Sequence, residues 1–243
     1  MASMIQNLSS LVILTRVVIA SCALLCMFTQ VAHSACTTPL VKSVLTRHGG
    51  LEELSRARTL HWSGTAIIHG DRGDIAIRVR TRLEPFVSAR SESWLRDEDA
   101  SKARVMILER EGGLLERAGV QSRMPQTLYQ HERAQFAIYG LMLLAPLCDP
   151  DVTVIEDEIN RSIVVTHPRA PTTTLFFDTG GHLIRARNSV PAPDGKAHVD
   201  QEFRFASESM PGRIHWPRTV HIEQNGKPYF DLTLERFEAV AQP

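Results

Sequence analysis

From about residue 57 onward, apolar and polar residues alternate along most of the chain, with one long interruption. Over residues 74–83, Ile75, Ile77, Val79 and Leu83 share one side, and Ala76, Arg78, Arg80 and Arg82 the other. Successive side chains of a strand point to opposite faces, so this is a strand with one buried and one wet face. Residues 60–68 form the strand before it, across the turn Gly70-Asp71-Arg72-Gly73. Segments 86–95, 102–109 and 114–121 continue the meander, with Glu111-Gly112-Gly113 as a further turn. The alternation returns at 152–156, 162–167, 172–177, 182–190, 198–206, 214–223 and 227–237. Asp178-Thr179-Gly180-Gly181, Asp194-Gly195 and Asn225-Gly226 separate these runs. Asn-Gly supplies the two left-handed residues of a tight hairpin. The pattern predicts about ten or more antiparallel strands.

Elsewhere the period is that of a helix. Leu40, Val41, Val44 and Leu45 form a stripe within residues 37–47, with Pro39 in the first turn and Gly49-Gly50 at the end. A short second helix follows over 51–57. The interruption is a third helix, from Pro125 to about Leu144, ending before Pro146. Its first half carries Gln126, Gln130, Glu132 and Arg133 on one side; from Phe136 to Leu147 there is no charge. That second stretch holds Phe136, Ile138, Tyr139, Leu141, Met142, Leu143, Leu144 and Leu147. At about 1.5–3 kcal/mol each, their burial exceeds about 10 kcal/mol gross. Such a helix has to be covered on nearly all sides. It is too short for a bilayer, which takes about 20 residues.

The first 35 residues read differently. Arg16 is their one Lys, Arg, Asp or Glu, and the apolar run Val17–Phe28 follows it. Thr29-Gln30-Val31-Ala32-His33-Ser34-Ala35 then supplies a small-residue cut site. The order is that of a secretory signal peptide, cleaved after Ala35, leaving residues 36–243 as a single domain outside the cytoplasm, in the periplasm. With Cys22 and Cys26 removed, Cys36 and Cys148 remain. Two thiols in an oxidising compartment predict one disulfide, worth up to about 4.7 kcal/mol on the chain-entropy model. The alternative is that Ser34-Ala35-Cys36 marks Cys36 as a lipidated first residue, anchoring the protein and leaving Cys148 a free thiol. The chain has 27 basic and 27 acidic residues, so nothing draws it as a whole to nucleic acid or anionic lipid.

In the order of its parts, the chain resembles the periplasmic lipoprotein-carrier superfamily, the LolA/LolB-like proteins. After the signal comes a helix ending in Gly49-Gly50, then Leu51-Glu52-Glu53-Leu54, a strand ending Gly64-Thr65, and a meander. The closing hairpin reads Trp216-Pro217-Arg218-Thr219-Val220, Asn225-Gly226-Lys227, Leu232-Thr233-Leu234. The resemblance implies an α+β fold: an open antiparallel β-barrel with helices covering its concave face and a greasy cavity between them. It also implies binding of acyl chains or lipidated partners without chemistry. No functional residue carries over by motif.

Other chemistries find little support. His131-Glu132 opens a zinc-type pattern, but Gln135 stands where the second histidine would be. His61, His69, His167, His182, His198, His215 and His221 are scattered without paired spacing, as half-exposed strand residues. A Gly-x-Ser-x-Gly elbow is missing, and His48-Gly49-Gly50 reads as a helix end rather than an oxyanion loop. Asp149, Asp151, Glu156, Asp157 and Glu158 lack calcium-loop spacing. Arg78, Arg80 and Arg82 suit either a headgroup or the wet face of a sheet with acidic neighbours. No phosphate loop is present.

The leading expectation is a non-enzymatic, cofactor-free, monomeric binder or carrier of a hydrophobic ligand or lipidated protein, touching membranes only transiently. Trp62, Ile75, Ile77, Val79, Phe136, Tyr139, Leu143, Phe230 and Leu232 are its expected cavity lining. An envelope interaction module with a solid core and an unrecognised enzyme are the alternatives.

Overall fold

The computed structural model describes residues 35–206 and 208–241, which fall within one compact unit. Of the expected signal peptide, residues 1–35, positions 1–34 lie outside the described residues. Helix α1 (Pro39–Arg47) starts at Pro39, where a missing N–H costs nothing, and buries Leu40, Val41, Val44 and Leu45. Gly49 and Gly50 end it at φ +122° and +86°. A Cβ on Gly49 would also stand 2.6 Å from the Arg213 carbonyl oxygen. Helix α2 (Leu51–Arg56) buries Leu54, and Arg56 reaches back to Glu52 and Glu53 at 2.5 and 3.0 Å. A helical turn, Ala35–Thr37, precedes α1. Its Cys36 is disulfide-bonded to Cys148, 112 residues on, which occupies the sulfur a lipid anchor would need. Glu156 accepts hydrogen bonds from the Val41 N–H at 2.9 Å and from the Thr38 hydroxyl.

Thirteen strands follow. The first six are β1 (Ala57–Ile68), β2 (Ile75–Glu84), β3 (Ser88–Leu95), β4 (Arg104–Leu108), β5 (Gly113–Arg117) and β6 (Val120–Arg123). Helix α3 (Gln126–Leu141) and a helical turn (Ala145–Cys148) come next. The rest are β7 (Thr153–Asp157), β8 (Ser162–Thr166), β9 (Thr173–Phe177), β10 (Leu183–Pro191), β11 (His198–Phe205), β12 (Thr219–Gln224) and β13 (Lys227–Ala241). They form one antiparallel sheet in the order β6-β5-β4-β3-β2-β1-β13-β12-β11-β10-β9-β8-β7. Neighbours are consecutive in the chain except at the central seam, β1–β13. The edges are β6 and β7, which do not pair, so the barrel is open. α3 connects them and packs on both β4 and β10.

Alternation sorts the two faces. Leu60, Trp62, Val79, Leu83, Ile163, Phe203, Leu232 and Leu234 turn inward to a core shared with the three helices. The arginine ladder of β2 faces out and meets carboxylates. Arg80 donates to Glu92 at 2.9 and 2.5 Å, and Arg90 adds a bond at 3.1 Å. Arg82 pairs with Glu84 at 3.2 Å and Arg78 with Glu235 at 3.8 Å. Every residue from Ala137 to Leu144 is buried, as the charge-free run predicts. At the seam, a bulge between Ser63 and Gly64 brings backbones so close that a Cβ on Gly64 would sit 2.1 Å from the Thr233 carbonyl oxygen.

Among the boundaries that differ from expectation, three have a clear physical cause. α3 stops at Leu141 rather than Leu144: its bonds tighten, Leu144 turns left-handed at φ 60°, and the chain bends ahead of Pro146. Residues 114–121 are not one strand but parts of β5 and β6, joined at Ala118-Gly119 with φ 51° and 77°. Alanine seldom takes that slot, so the turn left no sign. Residues 214–218 precede β12 instead of belonging to it. There Trp216 is buried and stacks on Phe237 at 4.6 Å, and Pro217 has no N–H to pair.

Candidate functional site

Between α3 and the middle of the sheet lies a cavity of about 230 Å³. Its apolar floor comes from both sides of the seam: Trp62 and Ile68 of β1, Ile77 and Val79 of β2, Ile222 of β12, Phe230 and Leu232 of β13. Its roof is Phe136 and Tyr139, three apart on α3 and therefore on one helix face. Tyr139 packs on Trp62 at 5.1 Å and on Phe136 at 5.9 Å between ring centroids. Seven of the nine expected residues surround this space: Trp62, Ile77, Val79, Phe136, Tyr139, Phe230 and Leu232. Ile75, at the first position of β2, is 47% exposed and stands clear of it. Leu143 lies past the end of α3, on the wall of a separate polar cleft with Leu54 and Pro146.

One side of the cavity is polar. Thr81, Ser91 and Ser93 line it from β2 and β3, Arg104 from β4, Glu132 and Gln135 from α3, and Tyr229 from β13. Thr81 and Ser91 hydroxyls are hydrogen-bonded at 3.0 Å. Enclosure strips water from Glu132 and pushes its carboxyl up to about 7, with Arg104 pulling the other way. Burial, with Glu132 nearby, raises the Tyr139 hydroxyl, and the same causes push Tyr229 up to about 12. Among the described residues Arg104 makes no ion pair and no side-chain hydrogen bond. The sequence held a sign of Glu132: it precedes Phe136 by four and Tyr139 by seven, on the same stripe of α3.

Beside the cavity, a row of buried amides crosses the sheet. Asn188 of β10 faces Gln201 of β11, which faces Gln224 of β12. Both amide groups of Asn188 and Gln201, the Gln224 Nε2 and the His131 Nε2 of α3 have no partner within the protein. His131 Nδ1 bonds the Pro191 carbonyl at 2.8 Å, which holds α3 onto β10.

Histidines that are scattered in sequence meet in space. His48, His182 and His215 have ring centroids 4.8–6.4 Å apart. His48 is spoken for at both nitrogens, by the Val44 carbonyl at 2.8 Å and the Leu183 N–H at 3.3 Å. Burial lowers it to about 4, and the cationic forms of His215 and His182 add to that. On the outer face, Asp231 joins His69 at 2.9 Å and His221 at 2.8 Å. Among the described residues no three His, Cys, Asp or Glu side chains are grouped to hold a metal ion. In the acidic stretch, Glu156 holds α1 and Asp157 accepts the Asn160 N–H at 3.0 Å.

A larger groove of about 670 Å³ runs along β1, β2 and β13 and is lined by Arg80, Arg82, Arg90, Glu92, Arg236 and Glu238. Several of these charges answer one another in pairs, so it offers a ligand less than the smaller, apolar cavity does.

No family model and no curated protein matches the chain. Among solved structures it is similar to a DUF1329 family protein from Desulfovibrio piger. That match has TM-score 0.50 and 8% identity, over 82% of this chain and 91% of that one. It is also similar to a LolA superfamily protein from Nitrosomonas europaea, at TM-score 0.48 and 10% identity, over 84% of this chain and 94% of that one. At such identities the likeness is one of fold: an open antiparallel sheet with helices over its inner face.

Proposed function

We propose that this protein is a non-enzymatic, monomeric binder or carrier of a hydrophobic ligand, an acyl chain or the lipid of a lipidated partner, working in the periplasm. The supporting observation is the cavity under α3, floored by apolar side chains from four strands and roofed by two aromatic rings. At about 230 Å³ it is smaller than the roughly 300–1,000 Å³ of drug-sized sites, which suits one chain rather than a whole lipid. The signal-like sequence of residues 1–35 supports the location, and with the charge balance it favours only brief membrane contact.

A second reading, an envelope interaction module with a solid core, draws on Ile155 and Ile159, exposed by 63% and 94% at and beside the β7 edge. Native mass spectrometry of protein purified from periplasm, followed by organic extraction, separates the two. A bound acyl species is the expected result. A bare mass, with no uptake of a fluorescent apolar probe such as N-phenylnaphthylamine, overturns the carrier reading in favour of the module.

A further inference from the structure

We propose that the cavity's ligand is a single-chain amphiphile with an anionic oxygen head, its tail on the Trp62–Phe230 floor and its head held by Arg104 and Arg117. The inference rests on reading the cavity as a ligand site and specifies what enters it.

The argument starts from register. Ser93 of β3 pairs with Arg104 of β4, which pairs with Arg117 of β5, so the three share one row on the inner face. Two guanidinium groups directly opposed across a ladder repel each other. Elsewhere on this sheet arginines meet carboxylates, as Arg80 and Arg90 do at Glu92. Among the described residues neither Arg104 nor Arg117 has a hydrogen bond or ion pair from its side chain. An anion between them would remove the repulsion and take bidentate bonds from planar donors suited to carboxylate or phosphate. Arg104 also lines the cavity, next to the Ser91 and Ser93 hydroxyls and opposite the apolar floor. The site is therefore amphipathic in the order tail, hydroxyls, cation. Its volume of about 230 Å³ suits one chain.

Glu132 sets the pH response. The charged or titratable groups facing it are Arg104 from β4, Tyr139 from its own helix and Tyr229 from β13. With its carboxyl held near 7, Glu132 is largely neutral at pH 6 and leaves the arginines to the ligand. At pH 8 it is largely ionised and competes with the ligand's head.

The test is calorimetric titration of the mature protein with decanoate, decyl phosphate, decanol and decyltrimethylammonium at pH 6 and 8. The expected result is an anion bound about tenfold or more tighter than decanol, with the cation weakest. The tighter of the two anions identifies the head as carboxylate or phosphate. Arg104→Gln and, separately, Arg117→Gln bring anion affinity down toward that of decanol and leave decanol unchanged. Both residues are exposed, so both variants fold, and with their mutual repulsion relieved the urea midpoint does not fall. Anion affinity falls from pH 6 to pH 8 in the wild type, and Glu132→Gln abolishes that fall. Equal binding of anion and decanol, or equal losses for both in Arg104→Gln, overturns the headgroup assignment while the cavity stands as a ligand site. Binding of none of the four overturns the cavity reading itself.

Discussion

Single residues carry two of the sharpest consequences. Unfolded, His48 takes a proton near 6.5; folded, it stays neutral down to about 4. As pH falls through that window only the unfolded chain gains the proton, so stability drops by about 1.4 kcal/mol per unit, roughly 3 kcal/mol in all. Burial lowers His215 as well, which steepens the slope in the same direction. Urea midpoints compared between pH 7 and pH 4.5 should fall markedly for the wild type and less for His48→Gln. Glycines divide in a similarly testable way. Gly64→Ala, with its Cβ driven into the Thr233 carbonyl, should cost about 3 kcal/mol or more, because the seam's backbones must part. Gly112→Ala has open space and should change thermal stability by less than about 1 kcal/mol. Neither the histidine cluster nor Gly64's role could be read from the chain. His48, His182 and His215 lie far apart in it, and a bulge is a property of two strands. Glu132, read with the polar side of its helix, and the Asn188–Gln201 pair, not singled out, left signs in the sequence all the same. The first falls on the apolar phase of a helix, and the second on the buried phase of two strands, between Ala186 and Val190 and between Val199 and Phe203.

Among elements, α3 bears most on stability. Ile138 and Leu141 are at most 1% exposed, so Leu141→Ala should lower the unfolding free energy by about 2–5 kcal/mol in urea titration. The Cys36–Cys148 bridge ties the turn before α1 to the turn after α3. Replacing both cysteines by serine should cost about 2–5 kcal/mol, and dithiothreitol should reproduce that loss in the wild type and add nothing in the variant. Elements with a repeating pattern were readable: the ten-residue alternation of β2, the charge-free run of α3, and Asn225-Gly226, which turns at φ 51° and 74°. Elements were misjudged where a single backbone angle decides, as at Ala118, or where a buried aromatic mimics a strand, as at Trp216. Local alternation reports which side is buried and not which partner buries it.

For the whole molecule, local signs marked the strands, helices and hairpins, while the open, helix-covered arrangement was what the family resemblance implied. Strand order had none: that the first and last strands meet at the centre is decided only by the finished core. The cavity sits across that meeting, drawing its floor from β1 and β2 on one side and β12 and β13 on the other. A ligand held there binds only the folded chain, so decanoate at about 100 times its Kd should raise stability by about 2.7 kcal/mol, read as a shift in the urea midpoint. Strand order also dictates a sequence of events in time. The meanders β1–β6 and β7–β13 close through short loops, but Ala57 finds its partner only when Ala241 arrives. A chain emerging from its N-terminus therefore keeps one side of β1 bare until the final fifteen-residue strand is out. The cavity's floor, drawn from both sides of that seam, is complete only then, so the site is among the last parts of the molecule to form.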